Sequence, residues 1–157
     1  MYRYFHQTNA EGIIEEESVG LHDCRADRMS LQKGMLSFYF SDGFYVMRND
    51  SAGRKVFYTE EAQAEFPLLY SDADDITIYV FTEENEKTIR EEYTVDDFIN
   101  LINEKSYSLE FLYSYIGYQT FKFDCWLWFD EEPYHKECEL IISAGKVFYR
   151  WNTMHEE

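Results

Sequence analysis

Apolar and polar residues alternate with a period of two along much of this chain, most regularly over residues 107–151. Successive side chains of a β-strand point to opposite faces, so this alternation predicts strands that each bury one face. We expect four strands here, joined by short connections into an antiparallel meander. The first of them is predicted to bury every second side chain, namely Tyr107, Leu109, Phe111, Tyr113 and Tyr115.

Further strand patterns occur in the N-terminal half. Residues 28–47 predict several strands, with turns at Lys33-Gly34 and at Asp42-Gly43. Asp-Gly is typical of a two-residue β-hairpin, because both turn positions must tolerate positive φ. Residues 76–81 predict a strand with bulky side chains on both faces, and residues 88–93 predict a weaker one.

Two segments have helical signals. Residues 59–66 predict one or two helical turns that end at Pro67. The main helix is predicted at about residues 94–105, where Thr94 is the N-cap and Val95, Phe98 and Ile102 recur on one face. We therefore predict an α+β fold, predominantly antiparallel β, with two sheets or one strongly curved sheet and this one main helix. At 157 residues the chain is expected to be a single domain, residues 1–157.

The charge of the chain is one-sided, with 31 acidic against 14 basic residues and a formal net charge of −17. The excess is spread along the chain, since residues 1–80 carry −7 and residues 81–157 carry −10. Such a field repels phosphate backbones and anionic lipids, so neither nucleic acid nor a membrane is an expected partner. It favours solubility in general, or a basic protein partner in particular.

The N-terminus and the cysteines indicate the compartment of the protein. The first residues lack the basic start and apolar run of a signal peptide, and no apolar stretch approaches the ~20 residues of a membrane helix. The three cysteines are an odd number without close pairing, which is typical of reduced thiols. We expect a cytoplasmic protein.

Three sets of residues could carry metal or nucleophilic chemistry. His22, Asp23 and Cys24 are adjacent, and such a cluster can ligate a metal or activate a thiol, although a turn cap beside a small core residue is the commoner arrangement. Cys125, His135 and Cys138 could join His22 or Cys24 in a zinc site, but only one side of such a site has the usual ligand spacing. Residues 71–75 (SDADD) resemble a calcium loop that lacks its fifth ligand and glycine. We expect neither a metal nor a cofactor.

Carboxylates and rings also lie close together in the C-terminal part of the chain. This pattern suits sugar binding or glycoside hydrolysis, whereas cross-strand rings are also ordinary sheet stabilisers. The candidate binding residues are Trp126, Trp128, Tyr134, Trp151, Asp124, Asp130, Glu137 and Glu139. The sequence contains no nucleophile elbow, phosphate-binding loop, zinc-protease motif or dinucleotide fingerprint, so no catalytic residue is assigned.

Four segments of the sequence carry a resemblance to known proteins. They are residues 21–25 (LHDCR), 34–44 (GMLSFYFSDGF), 125–130 (CWLWFD) and 133–140 (PYHKECEL). Together they resemble a family of small uncharacterised acidic proteins of gut Firmicutes, to which no activity is attached. The His-Asp pair followed by alternating strands is also similar to bacterial immunity proteins, which neutralise toxins. Neither resemblance implies catalytic residues.

Two functional hypotheses follow. The first is a non-enzymatic acidic interaction module, immunity- or inhibitor-like, that binds a basic protein partner through its charge and its surplus of rings. The second is a small-ligand or carbohydrate-binding protein, or a hydrolase, that uses the rings and carboxylates of the C-terminal sheet. A protein with a cysteine-histidine metal site is the third alternative.

Overall fold

The computed structural model describes residues 4–9 and 17–157. Within these ranges the chain forms fifteen β-strands in three antiparallel sheets, and one α-helix. In chain order the elements are β1 (Tyr4–Asn9), β2 (Glu17–Gly20), β3 (Cys24–Ala26), β4 (Arg28–Gln32), β5 (Met35–Phe40), β6 (Tyr45–Asp50), β7 (Gly53–Glu60), β8 (Ala62–Pro67), a 3₁₀ turn (Ala73–Asp75), β9 (Ile76–Glu84), β10 (Lys87–Tyr93), α1 (Val95–Glu104), β11 (Ser108–Gly117), β12 (Thr120–Trp128), β13 (His135–Ser143), β14 (Lys146–Trp151) and β15 (Thr153–Glu156).

The fold is α+β and mostly antiparallel, as predicted, but it has three sheets where two or one were expected. The five-stranded sheet has the order β1-β14-β8-β5-β4, the six-stranded sheet β10-β9-β13-β12-β11-β3, and the four-stranded sheet β15-β7-β6-β2. The four-stranded sheet is separate from the five-stranded sheet because the chain passes from one to the other at a break between β7 and β8. Glu61 adopts a positive φ of 49° at this break, which interrupts the extended backbone.

Aromatic rings from the five- and six-stranded sheets meet in the core. Phe38 lies 5.3 Å from Phe111, and Phe66 lies 5.2 Å from Phe121, each pair edge to face. All four side chains are buried. Edge-to-face rings add to the free energy gained by burying their area, so the contact between these two sheets is stabilised mainly by rings.

The main helix lies where the sequence predicts it. Thr94 caps it, with its hydroxyl accepting a hydrogen bond of 3.2 Å from the backbone N–H of Asp97. The helix contacts β4 and β9. Its Asn103 donates to the carbonyl of Met29 at 2.8 Å and accepts from the N–H of Met29 at 2.9 Å. The helix thus covers the open backbone of the edge strand β4.

Residues 59–66 are not helical, and this prediction is wrong. They end β7 and form most of β8, which is paired with β5 on one side and β14 on the other. Pairing on both sides overrides the helical propensity of glutamate, alanine and glutamine. The buried Gln63 and Glu65 hydrogen-bond to each other within this strand.

Two predicted connections are also wrong. Asp42-Gly43 does not close a hairpin, because β5 pairs with β4 and β8 while β6 pairs with β2 and β7. The turn instead carries the chain from one sheet to another. The predicted meander holds for β11, β12 and β13, but β14 pairs with β1 and β8 in the five-stranded sheet.

A β-bulge in β11 changes which of its side chains face the core. Phe111 is opposite Cys125, whereas Tyr113 is opposite Asp124, so one extra residue is inserted between them. The alternation is shifted by one beyond the bulge. Phe111 is therefore buried, but Tyr113 and Tyr115 are 59% and 52% exposed, contrary to the prediction that all three share the buried face.

No helix among residues 4–9 and 17–157 has the length and apolar character needed to cross a membrane. The three cysteines are free and buried.

Candidate functional site

The side of the six-stranded sheet that faces away from the core carries rings and carboxylates, and we call it the outer face. The strand registers place two rows of side chains across it. One row runs Glu92, Tyr79, Glu139, Asp124 and Tyr113, and the other runs Arg25, Glu110, Trp126 and Glu137. Residues that are opposite a member of these rows, or two positions along the same strand, lie on the same face. They are Phe81, Tyr115, Lys122, Trp128 and His135. Every ring of the outer face is half-buried or exposed.

The two tryptophans of β12 are held by neighbouring side chains. Trp126 stacks on His135 with ring centroids 4.4 Å apart, and it meets Trp128 edge to face at 5.8 Å. The guanidinium of Arg25 lies 4.2 Å from the ring centroid of Trp128, and its Nε is 3.2 Å from Glu110. The indole N–H of Trp128 is buried and has no hydrogen-bond acceptor among the described residues. The rings are therefore fixed in place and need little further ordering on binding.

Lys122 neutralises two of the carboxylates on the outer face. Its ammonium lies 3.3 Å from Asp124 and 3.5 Å from Glu139. Burial lowers the pKa of Lys122, but the hydrogen bonds and charges of the two carboxylates outweigh this effect and raise the pKa above its usual value. The ammonium also lies 5.2 Å from the ring centroid of Tyr115. Glu137 has no ion-pair partner among the described residues.

The structure brings five of the eight predicted binding residues onto one face. These are Asp124, Trp126, Trp128, Glu137 and Glu139. Asp130 and Tyr134 lie in the exposed connection between β12 and β13, beside this face.

Trp151 is not part of this group. It is buried at the end of β14, in the five-stranded sheet, with its ring centroid 6.2 Å from that of Phe44. The alternation of β14 puts Val147, Tyr149 and Trp151 on one face, but it carries no information on which sheet the strand joins.

Several residues of the outer face were not predicted as site residues. Tyr79 and Phe81 had a signal, because bulky side chains on both faces of β9 leave one set outside the core. Arg25 had none, since it reaches Trp128 only through the long-range pairing of β3 with β11. Tyr113 and Tyr115 were assigned to the core, and the bulge that exposes them has no local sequence signal.

His22 and Asp23 form the turn before β3, and Cys24 is the first residue of β3. The three side chains do not form a ligand group. The His22 ring donates from Nδ1 to the carbonyl of Leu112, and its Nε2 lies 3.4 Å from Asp23. Cys24 is buried in the core, and desolvation raises its pKa to about 12. A thiol with this pKa is almost entirely protonated at neutral pH and is a poor nucleophile.

The other predicted ligand sets are also separated or engaged. Cys125 and Cys138 are opposite each other in the core, whereas His135 lies on the outer face. In the calcium-like segment, the buried Asp75 accepts a hydrogen bond of 2.7 Å from the N–H of Tyr70. Asp72 accepts one from the N–H of Asp74. The described residues contain no group of three or more metal-ligating side chains.

Two clefts lie near the candidate residues, one beside the turn before β3 and one beside the outer face. One, of about 460 Å³, is lined by Asp23, Asp42, Tyr45, Tyr58 and Glu157 among others, where the four-stranded sheet meets the turn before β3. The other, of about 240 Å³, adjoins the outer face and is lined by residues that include Phe81, Glu83, His135 and Glu137. Neither is lined by Trp126 or Trp128.

Comparison with known proteins gives no relative from which a role could be transferred. No protein-family model matches the chain, and neither a curated protein nor a solved structure matches it.

Proposed function

We propose that this protein is a non-enzymatic interaction module that binds a basic protein partner through the outer face. The observation that supports it most is the collection of half-buried or exposed rings and carboxylates on one open side of a six-stranded sheet. Cross-strand rings also stabilise sheets, but the rings of the outer face lie beside carboxylates on the side that faces away from the core. Rings that are rigid and partly exposed are the residues that most often anchor protein interfaces.

The charge of the outer face matches a basic partner. Its acids outnumber its bases, and two of the bases already have carboxylate partners, Arg25 with Glu110 and Lys122 with Asp124 and Glu139. Glu137 is exposed and lies opposite Trp126, so a lysine or arginine of the partner can pair with the carboxylate while its stem packs on the indole. The net charge of −17 would accelerate the encounter.

Three of the described groups that were considered for chemistry are buried or ion-paired, which favours binding over catalysis. Cys24 is buried with a raised pKa, and Asp124 and Glu139 share one ammonium. The resemblance to immunity proteins is in keeping with an inhibitor-like binder. We expect the complex to form in the cytoplasm, where thiols remain reduced.

The experiment is a pull-down from native lysate, followed by affinity measurements on the retained partner. We expect retention at low salt and release at high salt, because the attraction between charges is screened. Glu137→Lys should weaken binding by at least about tenfold, through loss of one pairing and gain of a repulsion. Glu104→Lys is the matched control, because it makes the same change of charge at an exposed position on α1.

Two results would refute the proposal. One is that no basic protein is retained at low salt. The other is that Glu104→Lys weakens binding as much as Glu137→Lys, since the net charge would then act without any contribution from the outer face.

A small ligand is the second candidate, supported by the cleft beside the outer face where Glu83 and Glu137 lie near Phe81 and His135. Its volume of about 240 Å³ is below the roughly 300–1,000 Å³ of most ligand sites, which weakens the case for a small ligand at this cleft. Tryptophan fluorescence should change on titration with an oligosaccharide if sugars bind here. An unchanged spectrum with a panel of sugars would remove this candidate.

A further inference from the structure

Part of the edge of the six-stranded sheet has no neighbouring strand. β3 pairs with β11 only at Leu109, Glu110 and Phe111. The turn before β3 adds one bond from the N–H of Asp23 to the carbonyl of Phe111, at 2.8 Å. Beyond Leu112, no strand of residues 4–9 and 17–157 pairs with β11 on the side away from β12. We call residues 113–117 the open edge, because its outward backbone groups are available to another strand.

Two other edges of these sheets, β10 and β4, are protected against such pairing. The opposite edge of the same sheet, β10, has the sequence KTIREEY, in which four of seven residues are charged. The edge strand β4 is covered by Asn103 of α1. Charges and covering side chains are the usual devices that prevent association of sheet edges. The open edge carries no charge, and the His22 ring lies 5.7 Å from that of Tyr113 at its start.

The composition of the open edge is unusual for this chain. Residues 111–121 (FLYSYIGYQTF) contain no charged residue, and this is the longest uncharged run in a sequence with 31 acids and 14 bases. Four large apolar side chains in this run are exposed by 43–76%, namely Tyr113, Tyr115, Ile116 and Tyr118. Apolar groups concentrated at an uncharged, unpaired edge are typical of a strand-pairing interface.

We propose that two copies of the chain associate through their open edges, which pair antiparallel about a two-fold axis and join the two six-stranded sheets into one. Charge decides between a second copy and a basic partner. A basic partner is attracted to carboxylates, which the open edge lacks, whereas two copies of net charge −17 repel each other wherever their charged surfaces meet. An uncharged edge lets them touch with the least repulsion. Antiparallel pairing of identical strands is also self-complementary, as a two-fold interface requires.

The size of the open edge sets the expected affinity. Five residues of antiparallel strand extend about 17 Å. Two paired strands of this length and the tyrosines beside them bury a surface area no larger than that of the smallest stable interfaces, roughly 1,200 Å². We therefore expect a dimer with a dissociation constant in the micromolar range.

The test is sedimentation velocity over a range of protein concentrations, with two variants. The wild type should shift with concentration from 19.0 kDa to twice that mass, about 38 kDa. Ile116→Lys should raise the dissociation constant at least about tenfold, because it puts like charges against each other across the axis. Ile89→Lys is the matched control on β10, where Ile89 is 40% exposed against 43% for Ile116, and it should leave the dimer unchanged.

Salt separates this proposal from the proposed function. Screening weakens the repulsion between two acidic copies, so added salt should strengthen the dimer, whereas it should weaken binding to a basic protein. Hydrogen exchange gives a readout that does not depend on a variant. Amides of residues 113–117 should become more protected as the protein concentration rises.

The proposal fails if the wild type stays at the monomer mass up to about 1 mM, well above the expected dissociation constant. It also fails if Ile116→Lys and Ile89→Lys have equal effects. Protection of residues 113–117 only on addition of poly-lysine would likewise overturn it, since the open edge would then accept a strand from a basic partner. None of these results bears on binding through Trp126 and Glu137.

Discussion

Replacing Gly43 by alanine should destabilise the fold far more than the same change at Gly53 or Gly145. Gly43 has a φ of 78°, where an alanine in the left-handed region costs about 1–2 kcal/mol. An added Cβ would also lie 1.7 Å from the carbonyl oxygen of Thr59, a contact that only a backbone shift can relieve.

The shift would disturb a buried hydrogen-bond network. Thr59 is fully buried and makes three bonds of 2.9 Å with Phe44: its N–H and its hydroxyl both donate to the Phe44 carbonyl, and its hydroxyl accepts from the Phe44 N–H. Each such bond contributes about 1 kcal/mol. Weakening two of them in addition to the φ strain gives a total loss of roughly 3–5 kcal/mol, a large fraction of the stability of most domains.

Urea denaturation followed by tryptophan fluorescence measures this loss, and two other glycines serve as controls. Gly53 has a positive φ of 123° but no neighbouring atom within 4 Å of an added Cβ, so Gly53→Ala should cost only the strain, about 1–2 kcal/mol. Gly145 has neither feature, and Gly145→Ala should change stability by about 0.5 kcal/mol or less. If Gly43→Ala costs no more than Gly53→Ala, the contact with Thr59 does not restrict residue 43 and the reasoning is wrong.

Two further predictions concern stability. Asn103→Ala should cost about 1–2 kcal/mol in urea denaturation, because it removes both hydrogen bonds to the backbone of Met29, while Asn100→Ala on the exposed side of the same helix should cost little. The second concerns the buried thiols of Cys24, Cys125 and Cys138, whose pKa desolvation raises in the folded state. In the unfolded chain these thiols ionise near pH 9, so the free energy of unfolding should fall above about pH 9, by up to about 1.4 kcal/mol per pH unit for each thiol. The same thiols should resist iodoacetamide at pH 8 until urea unfolds the protein, and labelling of the native protein at a rate typical of free cysteine would contradict their burial.

Only some residues of the candidate site could be predicted from the sequence, and the reason differs from residue to residue. Trp126 and Trp128 were identified because rings and carboxylates lie close together in this part of the sequence, which is a local pattern. Arg25 was not identified, since it reaches Trp128 through a partner strand about 85 residues away along the chain, in the register that also joins it to Glu110. Local patterns define the two faces of a strand but do not define the strand that lies beside it.

The sequence by itself determined the predominance of antiparallel strands, the helix that begins after Thr94, and the ring-filled core. These features follow from local periodicity and capping, which act over a few residues. Only the tertiary structure decided that residues 59–66 extend between two strands, that β14 joins the five-stranded sheet, and that a bulge after Phe111 exposes Tyr113 and Tyr115. The physical reason is that strand pairing is a long-range interaction. Its free energy depends on which chain segments meet, and it can outweigh local propensity wherever a strand gains hydrogen bonds on both sides.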